Sequence, residues 1–412
     1  MNIFYHIDVN SAYLSWEAAH RLSLDPSAID LREIPAIIGG DEKKRKGVVL
    51  AKSIPAKKYK IQTGEPIRSA LQKYPKLEII PPQYSLYMKA SQSMVDLISE
   101  YTPLIQRFSI DELFAQYIGP PGEHLKQAEE IRERISRELG FTVNIGVSFN
   151  KLLAKVASDF TKPDRVHPLF KEDIPVKMWP LPVGDLFMVG RRTEKKLRER
   201  GITTIGELAA MDPKYMYRWM KKPGLTIWNF ANGIENSSIL LDSPPYKSIS
   251  NSTTMPFDVE TKKDCKRVLL AISENIGNRL RGLHFNGQVL SVSFCNTDFL
   301  HYRKEEKLNF PTQNTQILYK QAEKLFSEIW KGEPLRKFSI RVSKLTSDQA
   351  KQLSLFEKEE EKYRNLETTL DHLREEYGKR SVYRSTFLHS GISPMIGGVM
   401  EEEEYLMMSS TL

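Results

Sequence analysis

The sequence predicts a multidomain α+β protein, and three observations point to that class. The chain has 412 residues, which is too long for one compact core and predicts two to four domains. Its apolar fraction is 40%, with 18 Phe, 17 Tyr and 5 Trp, which is enough to build packed cores. Predicted strands and helices alternate up to about residue 169, and wholly helical and then mixed patterns follow.

The first region alternates short apolar strands with amphipathic helices. Glycine pairs, proline pairs and charged stretches separate these elements. Strands are predicted at residues 2–7, 34–38, 48–51, 108–117 and 142–148, and helices at residues 12–21, 88–101, 125–139 and 151–161. The strand at 108–117 is unusual because an acid pair interrupts it.

Two further regions follow. Residues 173–239 have a helical pattern, and Pro244-Pro245 marks a linker. Residues 248–346 have the order strand, helix, strand, strand, helix, strand, which predicts one sheet with helices on one face. Beyond residue 346 the chain is polar and acidic, with one helical stretch at 365–377, and we expect partial disorder there.

Charge is distributed unevenly along the chain. The net charge is +8, and residues 247–346 hold 17 Lys/Arg against 10 Asp/Glu, whereas residues 347–412 hold 8 against 13. A basic region upstream of an acidic tail favours a nucleic-acid partner.

Two cysteines exclude a disulfide framework and an all-cysteine zinc site. Neither a membrane-length apolar run nor a signal-peptide pattern is evident, so we expect a cytoplasmic protein with no membrane partner.

Three acids stand in apolar surroundings. Asp8 ends the first strand, and Asp111 and Glu112 interrupt the strand at 108–117. A buried carboxylate is costly unless it is compensated, and magnesium is a hard cation that accepts carboxylate oxygens. Two such ions can clamp the attacking and leaving oxygens of a phosphoryl transfer. The alternative for the acid pair alone is an edge strand with solvated carboxylates.

Three motifs carry a family resemblance. The segments HIDVNSAYLSWE, FSIDE and VSFNKLLAKVASDFTKPD resemble, in order and spacing, motifs of the Y-family (UmuC/DinB-like) translesion DNA polymerases. The resemblance covers residues 1 to about 346. It implies a right-hand polymerase with an α/β palm, small fingers, a helical thumb and a βαββαβ little finger. The implied boundaries are 1–11 and 81–169 for the palm, 12–80 for the fingers, 170–239 for the thumb and 248–346 for the little finger. Residues 347–412 would form an acidic tail.

The resemblance also implies a catalytic set. Asp8, Asp111 and Glu112 would be the catalytic carboxylates and would bind two Mg²⁺ ions together with the carbonyl of Val9. Lys162 would meet the incoming nucleoside triphosphate, although a lysine there could also stabilise a helix C-terminus. The implied activity is error-prone, distributive DNA-templated DNA synthesis past lesions.

The nucleotide side of the predicted site has one further candidate and several departures from the family pattern. Tyr13 falls on the steric-gate position, where a ring excludes the 2′-hydroxyl; its alternative role is packing on a buried helix face. Ile54 and Lys57 stand where the family often has Tyr and Arg, so only Lys57 can supply charge. Ala12 replaces a usual aromatic residue. These departures resemble the UmuC side of the family.

A basic segment, residues 187–200, resembles a helix–hairpin–helix. A glycine turn before a helix can present backbone N–H groups to a phosphate. The residues predicted to contact DNA are Gly190, Arg191, Arg192, Lys195 and Lys196. Met188 replaces the usual first glycine of the turn. The alternative is an ordinary solvated basic helix.

The tail contains a short apolar cluster in polar surroundings, QLSLF at residues 352–356. It matches the peptide by which bacterial polymerases bind the sliding clamp, and it predicts clamp contacts through Gln352, Leu353, Leu355 and Phe356. The alternative is a segment that folds back on the protein. The partners predicted for a monomeric enzyme are primer-template DNA, deoxynucleoside triphosphates and the clamp.

Two other classes remain open at the level of the sequence. A non-catalytic nucleic-acid-binding protein would use the same basic surfaces but has no need of the acids at 8, 111 and 112. A nucleotidyl cyclase also places two acids on strands, but the basic hairpin, the βαββαβ region and the tail motif argue against it.

Overall fold

The computed structural model describes residues 2–41, 45, 47–241, 245–348, 360–378 and 380–396. Contacts divide these into two compact units. The first holds residues 2–40 and 48–241, and the second holds the residues from 245 onward together with 41, 45 and 47. The peptide at 352–356 lies outside the described residues, so its predicted role remains a prediction.

The first unit is mixed α/β followed by helices. Its strands are β1 (Phe4–Val9), β2 (Ala36–Gly39), β3 (Val49–Lys52), β4 (Glu78–Ile80), β5 (Ile105–Arg107), β6 (Glu112–Gln116), β7 (Val143–Ser148) and β8 (Val166–Pro168). Its helices are α1 (Ala12–Leu24), α2 (Ile54–Lys58), α3 (Ile67–Lys73), α4 (Tyr84–Ser99), α5 (His124–Arg134), α6 (Lys151–Ser158), α7 (Arg191–Arg198), α8 (Ile205–Ala209) and α9 (Pro213–Ala231).

Two sheets organise these strands. One has five strands in the order β5-β6-β1-β7-β8, and the other has three in the order β3-β2-β4. All six residues of β1 are buried, as expected for an apolar strand at the centre of a sheet. The strand predicted at 2–7 extends to Val9, so Asp8 lies within the strand rather than at its end.

The predicted strand at 108–117 is wrong in its first half. Residues 108–111 form a turn between β5 and β6, and only Glu112 of the acid pair belongs to a strand. The backbone N–H groups of Phe108 and Ser109 both donate to the carbonyl of Glu112 at 3.0 Å, which closes the turn. A turn removes the alternation of faces that a continuous strand would impose on adjacent acids.

Other boundaries shift by a few residues. Helix α4 begins at Tyr84, before the predicted residue 88, and α6 ends at Ser158, before the predicted residue 161. The side chain of Asn150 accepts a hydrogen bond from the N–H of Leu153 and so begins α6. The residues from 159 to 165 consequently form a loop that joins α6 to β8.

Residues 170–241 form the predicted helical module. Short 3₁₀ and π turns precede α7, and α9 is kinked at Lys221, two residues before Pro223. The module shares a core with α6, since Leu153 and Val156 pack among its apolar residues.

The second unit confirms the predicted βαββαβ order. Its elements are β9 (Ser248–Val259), α10 (Lys262–Gly282), β10 (Phe285–Asn296), β11 (His301–Thr312), α11 (Thr315–Ile329), β12 (Leu335–Ser347) and α12 (Glu360–Tyr377). The four strands form an antiparallel sheet in the order β11-β10-β12-β9. Helices α10 and α11 pack on it around a core that includes Phe294, Phe326 and Phe338.

Part of the predicted acidic tail is folded. Helix α12 covers the predicted helix at 365–377 and begins earlier, at Glu360. The Arg281 guanidinium donates to Glu367 at 3.0 Å and to Asp371, and Phe387 and Ile392 are buried in the core of the second unit. Sequence reasoning missed this packing because the chain beyond residue 346 is polar and acidic as a whole.

Candidate active site

The three predicted acids are brought together by the central strands of the five-stranded sheet. Asp8 on β1 is directly opposite Glu112 on β6. The N–H of Val9 donates to the carbonyl of Asp111 at 3.0 Å, which fixes the turn against β1. The Ser109 hydroxyl donates to the Asp111 carboxylate at 2.6 Å. Asp8 therefore forms one acidic cluster with Asp111 and Glu112, which lie far from it in the chain, as the sequence predicts.

Burial sets the electrostatics of this cluster. Asp8 is 8% exposed, and burial raises the pKa of its carboxyl to about 6 against the opposing effect of Lys162, with Glu112 and Asp111 adding to the rise. Burial also raises the pKa of Glu112, while Lys155 opposes that rise. Concentrated negative charge in a partly desolvated place is costly, so the cluster needs a cation.

Two lysines supply positive charge to the cluster. Lys162 pairs with Asp8 and, at 2.9 Å, with Asp159, and Lys155 donates to Glu112 at 2.9 Å. Burial disfavours the charged form of Lys162, but Asp8 and Asp159 outweigh that effect and raise the pKa of Lys162. Lys162 lies beyond the end of α6 and contacts both Asp8 of the acidic cluster and Asp159, the C-cap of that helix.

The donor groups of the cluster bear on whether it can bind a metal ion. In the described residues, no group of three His, Cys, Asp or Glu side chains stands ready to hold a metal ion. The lysines pair with Asp8 and Glu112 instead. The donor chemistry nevertheless fits a hard divalent cation, because all three acids offer carboxylate oxygens from one small region of the sheet. A cation would take over the counter-charge that Lys162 and Lys155 now provide.

Tyr13 lies on α1, half-buried within an aromatic cluster. Its ring stacks on that of Tyr87 with centroids 4.6 Å apart, and Trp16 and Tyr84 each lie 6.0 Å away. Tyr87 and Trp16 are fully buried. Tyr13 therefore has the packing role considered for it. Because its ring packs against other aromatic rings, it is also suited to form a rigid steric barrier.

The predicted nucleotide contacts of residues 54–57 lie on α2. The Ser53 side chain begins this helix by accepting from the N–H of Ala56. Ile54 is 47% exposed, and Lys57 is exposed with its charge near that of Lys52. The structure thus leaves both side chains accessible, and the role of Lys57 remains a prediction.

The predicted DNA-contacting hairpin precedes α7. Gly190 is the N-cap of α7, and Met188 adopts a positive φ of 71° and is 60% exposed. Leu197 anchors α7 in the core, while the four basic residues predicted to contact DNA are exposed, as is the fifth basic residue of the helix, Arg198; the four are Arg191, Arg192, Lys195 and Lys196. The backbone turn forms although methionine replaces glycine, and it presents a basic face.

Sequence reasoning missed three polar residues of this region, of which Asn10 and Asn144 are buried and Lys155 is partly buried. Lys155 bonds to Glu112, and Asn10 and Asn144 bond to each other at 3.2 Å. Lys155 carried a detectable signal, because a lysine within the apolar run LLAKVAS needs a buried partner. The two asparagines carried none, since their partners are loop carbonyls and amides far away in sequence.

Comparison with known proteins agrees with this fold. Residues 7–159 match the impB/mucB/samB family, residues 171–202 match the HHH motif of that family, and residues 246–355 match its C-terminal domain. The fold resembles a Y-family DNA polymerase chimera of Dbh and Dpo4 with a TM-score of 0.71, covering 84% of this chain and 99% of the other at 19% identity. That resemblance concerns the fold alone.

Curated relatives extend over nearly the whole chain. DNA polymerase IV of Clostridium acetobutylicum is 43% identical over 94% of this chain and 98% of its own length. DNA polymerase IV of Acetivibrio thermocellus is 35% identical over 94% and 97%, and DNA polymerase IV 2 of Bacillus subtilis is 34% identical over 94% and 94%.

The fold and the carboxylate-bearing sheet define a right-hand polymerase class. Within it, the chain belongs to the impB/mucB/samB family, the Y family of DNA polymerases. The family predicted from the sequence motifs, the Y family, is confirmed. The narrower UmuC-type assignment stays a prediction, since these relatives bear the name DNA polymerase IV. Among the described helices, none is long and apolar enough to cross a membrane.

Proposed function

We propose that this chain is a cytoplasmic, monomeric polymerase that extends primers on damaged and undamaged DNA templates by adding deoxynucleotides. The observation that carries the proposal is the convergence of three acids: Asp8 and Glu112 lie opposite each other on neighbouring strands of the central sheet, and Asp111 lies in the turn that leads into the second of these strands. The relatives favour this class over a binding protein or a cyclase, because proteins named DNA polymerase IV match along almost the full chain.

Asp8, Asp111, Glu112 and the carbonyl of Val9 are the residues that would hold two Mg²⁺ ions. Magnesium, when bound, would activate the primer 3′-hydroxyl and stabilise the departing pyrophosphate. The chain's own residues would position the reactants: β1 and β6 would orient Asp8 and Glu112, the turn before β6 would orient Asp111, and Lys162 would turn from Asp8 toward the triphosphate. Lys57 would add positive charge on the fingers side.

The assignment of regions follows the same proposal. Residues 1–11 and 81–169 would be the palm, 12–80 the fingers, 170–239 the thumb and 248–346 the little finger. The fingers are small, so they offer little surface for testing the shape of the base pair. Discrimination would then rest mainly on base pairing, and synthesis would be error-prone and distributive.

Clamp tethering would offset the weak hold on DNA. The peptide at residues 352–356 would bind the bacterial sliding clamp through Gln352, Leu353, Leu355 and Phe356. Supporting this, the peptide lies between β12, which ends at Ser347, and α12, which begins at Glu360. A weak peptide contact suffices, because tethering raises the local concentration of the enzyme at the primer end.

Substitution of the acids tests the proposal. Asp8→Ala and Asp111→Ala should each remove primer extension, because each deletes a carboxylate of the cluster, while binding to primer-template DNA in a gel-shift assay stays within about twofold. Asp25→Ala, an exposed acid of the same unit, is the control and should extend primers normally. Normal extension by either cluster variant would sink the assignment.

A further inference from the structure

The loop of residues 159–165 has to place Lys162 beside Asp8, although it follows the end of α6 and belongs to no regular element. A loop of this kind keeps one position only if other groups satisfy its backbone N–H and C=O groups. The question is which side chains do so on each side of Lys162.

Asn144 holds the part of the chain that precedes Lys162. It lies on β7, fully buried, directly opposite Asp8 in the register of β1 and β7. Its amide nitrogen donates to the carbonyl of Ser158 at 3.2 Å and to the carbonyl of Thr161 at 3.1 Å. One side chain thereby ties the end of α6 and the residue before Lys162 to the strand beside Asp8.

Asn10 holds the part that follows Lys162. Its amide oxygen accepts from the N–H of Asp164 at 2.9 Å and from the hydroxyl of Thr142 at 3.0 Å. Its amide nitrogen donates to the side-chain oxygen of Asn144 at 3.2 Å. The two asparagines therefore form one buried network that grips the loop on both sides of Lys162.

We propose that Asn10 and Asn144 are positioning residues that fix the Lys162 loop and so set the affinity for the incoming nucleoside triphosphate. The inference rests on the proposed role of Lys162 in nucleotide binding. Neither asparagine touches the nucleotide; they act through the backbone of Thr161 and Asp164. Buried polar networks that are fully satisfied hold one geometry, and loss of one member releases it.

The expected effect of breaking the network lies in nucleotide affinity. Asn144→Ala removes the bond to Thr161 of the loop and the bond to Ser158 at the end of α6, so Lys162 would spend less time in position. The KM for the correct deoxynucleotide should rise about tenfold, the change expected for loss of one to two net hydrogen bonds. The affinity for primer-template DNA should not change, because the loop is anchored inside the palm.

A matched control separates positioning from general damage to β7. Ser148→Ala removes a buried hydrogen bond from the same strand, the one donated by the Ser148 hydroxyl to the carbonyl of Leu169. This variant should leave the nucleotide KM within about twofold. Thermal unfolding checks that each variant is folded; if Asn144→Ala is not, Asn10→Ala takes its place, because it releases the loop at Asp164.

A double-mutant cycle with Lys162→Ala gives the decisive readout. If the asparagines act through Lys162, Asn144→Ala should add less than about twofold to the nucleotide KM of Lys162→Ala. Additive effects would overturn the inference, as would an unchanged KM in Asn144→Ala when Lys162→Ala raises it. An unchanged KM in Lys162→Ala itself would refute the nucleotide role of Lys162 and the inference with it.

Discussion

Asp8 shows how a neighbouring lysine compensates the burial of a carboxylate. Its burial raises its pKa to about 6, and Lys162 opposes that rise. At neutral pH the carboxyl is therefore mostly ionised and already paired with the ammonium group of Lys162. A lysine is suited to this, because its flexible stem would let the ammonium group leave the carboxylate if the proposed metal ion and triphosphate bound there.

Tyr13 gives a prediction at the scale of the single residue. If its ring is the wall beneath the incoming sugar, Tyr13→Ala should raise incorporation of ribonucleotides relative to deoxyribonucleotides by at least about tenfold, because the steric barrier to the 2′-hydroxyl is gone. The measurement is the ratio of kcat/KM for the two sugars on one template.

The control for Tyr13 is a neighbour in the same aromatic cluster. Tyr84→Ala removes a ring 6.0 Å from that of Tyr13 and should disturb the sugar ratio far less. A sugar preference that is unchanged in Tyr13→Ala would mean that Tyr13 only packs against Tyr87.

The acid pair shows what a sequence can and cannot predict about elements. The acids Asp8, Asp111 and Glu112 stand out in apolar surroundings in the sequence, and the family resemblance of the motifs implied that they belong to one site. The turn at 108–111 was not predicted, because Phe108 and Ile110 have the alternation of a strand. Only the hydrogen bonds to the carbonyl of Glu112 reveal it.

The second unit was predicted more fully. Its strands and helices are long and periodic, so the order βαββαβ followed from the sequence. Residues 12–80 were predicted less well: α2, α3 and β4 are short, and such elements depend on tertiary packing rather than on periodicity. The Asn10–Asn144 network could not be predicted, because hydrogen bonds to loop backbone leave no pattern.

Helix α7 gives a prediction at the scale of the element. Lys195→Ala/Lys196→Ala should weaken binding to DNA of any sequence. It should also reduce the slope of log K against log salt by up to about 1.8, because two phosphate contacts are lost. Fluorescence anisotropy over a salt series measures both quantities.

The control for α7 has the same net charge as the Lys195→Ala/Lys196→Ala variant. Lys126→Ala/Arg137→Ala removes two exposed basic residues from another surface of the first unit. Its affinity and salt slope should match those of the wild type. Equal losses in both double variants would show that total charge, rather than the hairpin, governs binding.

At the scale of the whole molecule, the clamp peptide predicts a change in the length of products. Adding a bacterial sliding clamp should lengthen the products of the wild-type protein, because the tethered enzyme rebinds the primer before it diffuses away. Gln352→Ala/Phe356→Ala should abolish that gain and leave clamp-free extension unchanged. Primer extension on a long template, with and without clamp, measures the effect.

The neighbouring pair Glu357→Ala/Lys358→Ala is the control and should keep the clamp response, since neither residue belongs to the QLSLF peptide. Equal stimulation of the wild type and the Gln352→Ala/Phe356→Ala variant would overturn the clamp role without touching the assignment of the active site.

The central proposal for the whole molecule is that this chain synthesises DNA on a template that carries damage. The most direct test is primer extension by the purified wild-type protein with Mg²⁺, on one undamaged template and on matched templates with single lesions. We expect extension on the undamaged template, insertion opposite at least one lesion, and no product when the metal is chelated. A folded protein that binds these templates but extends none of the primers would contradict the account.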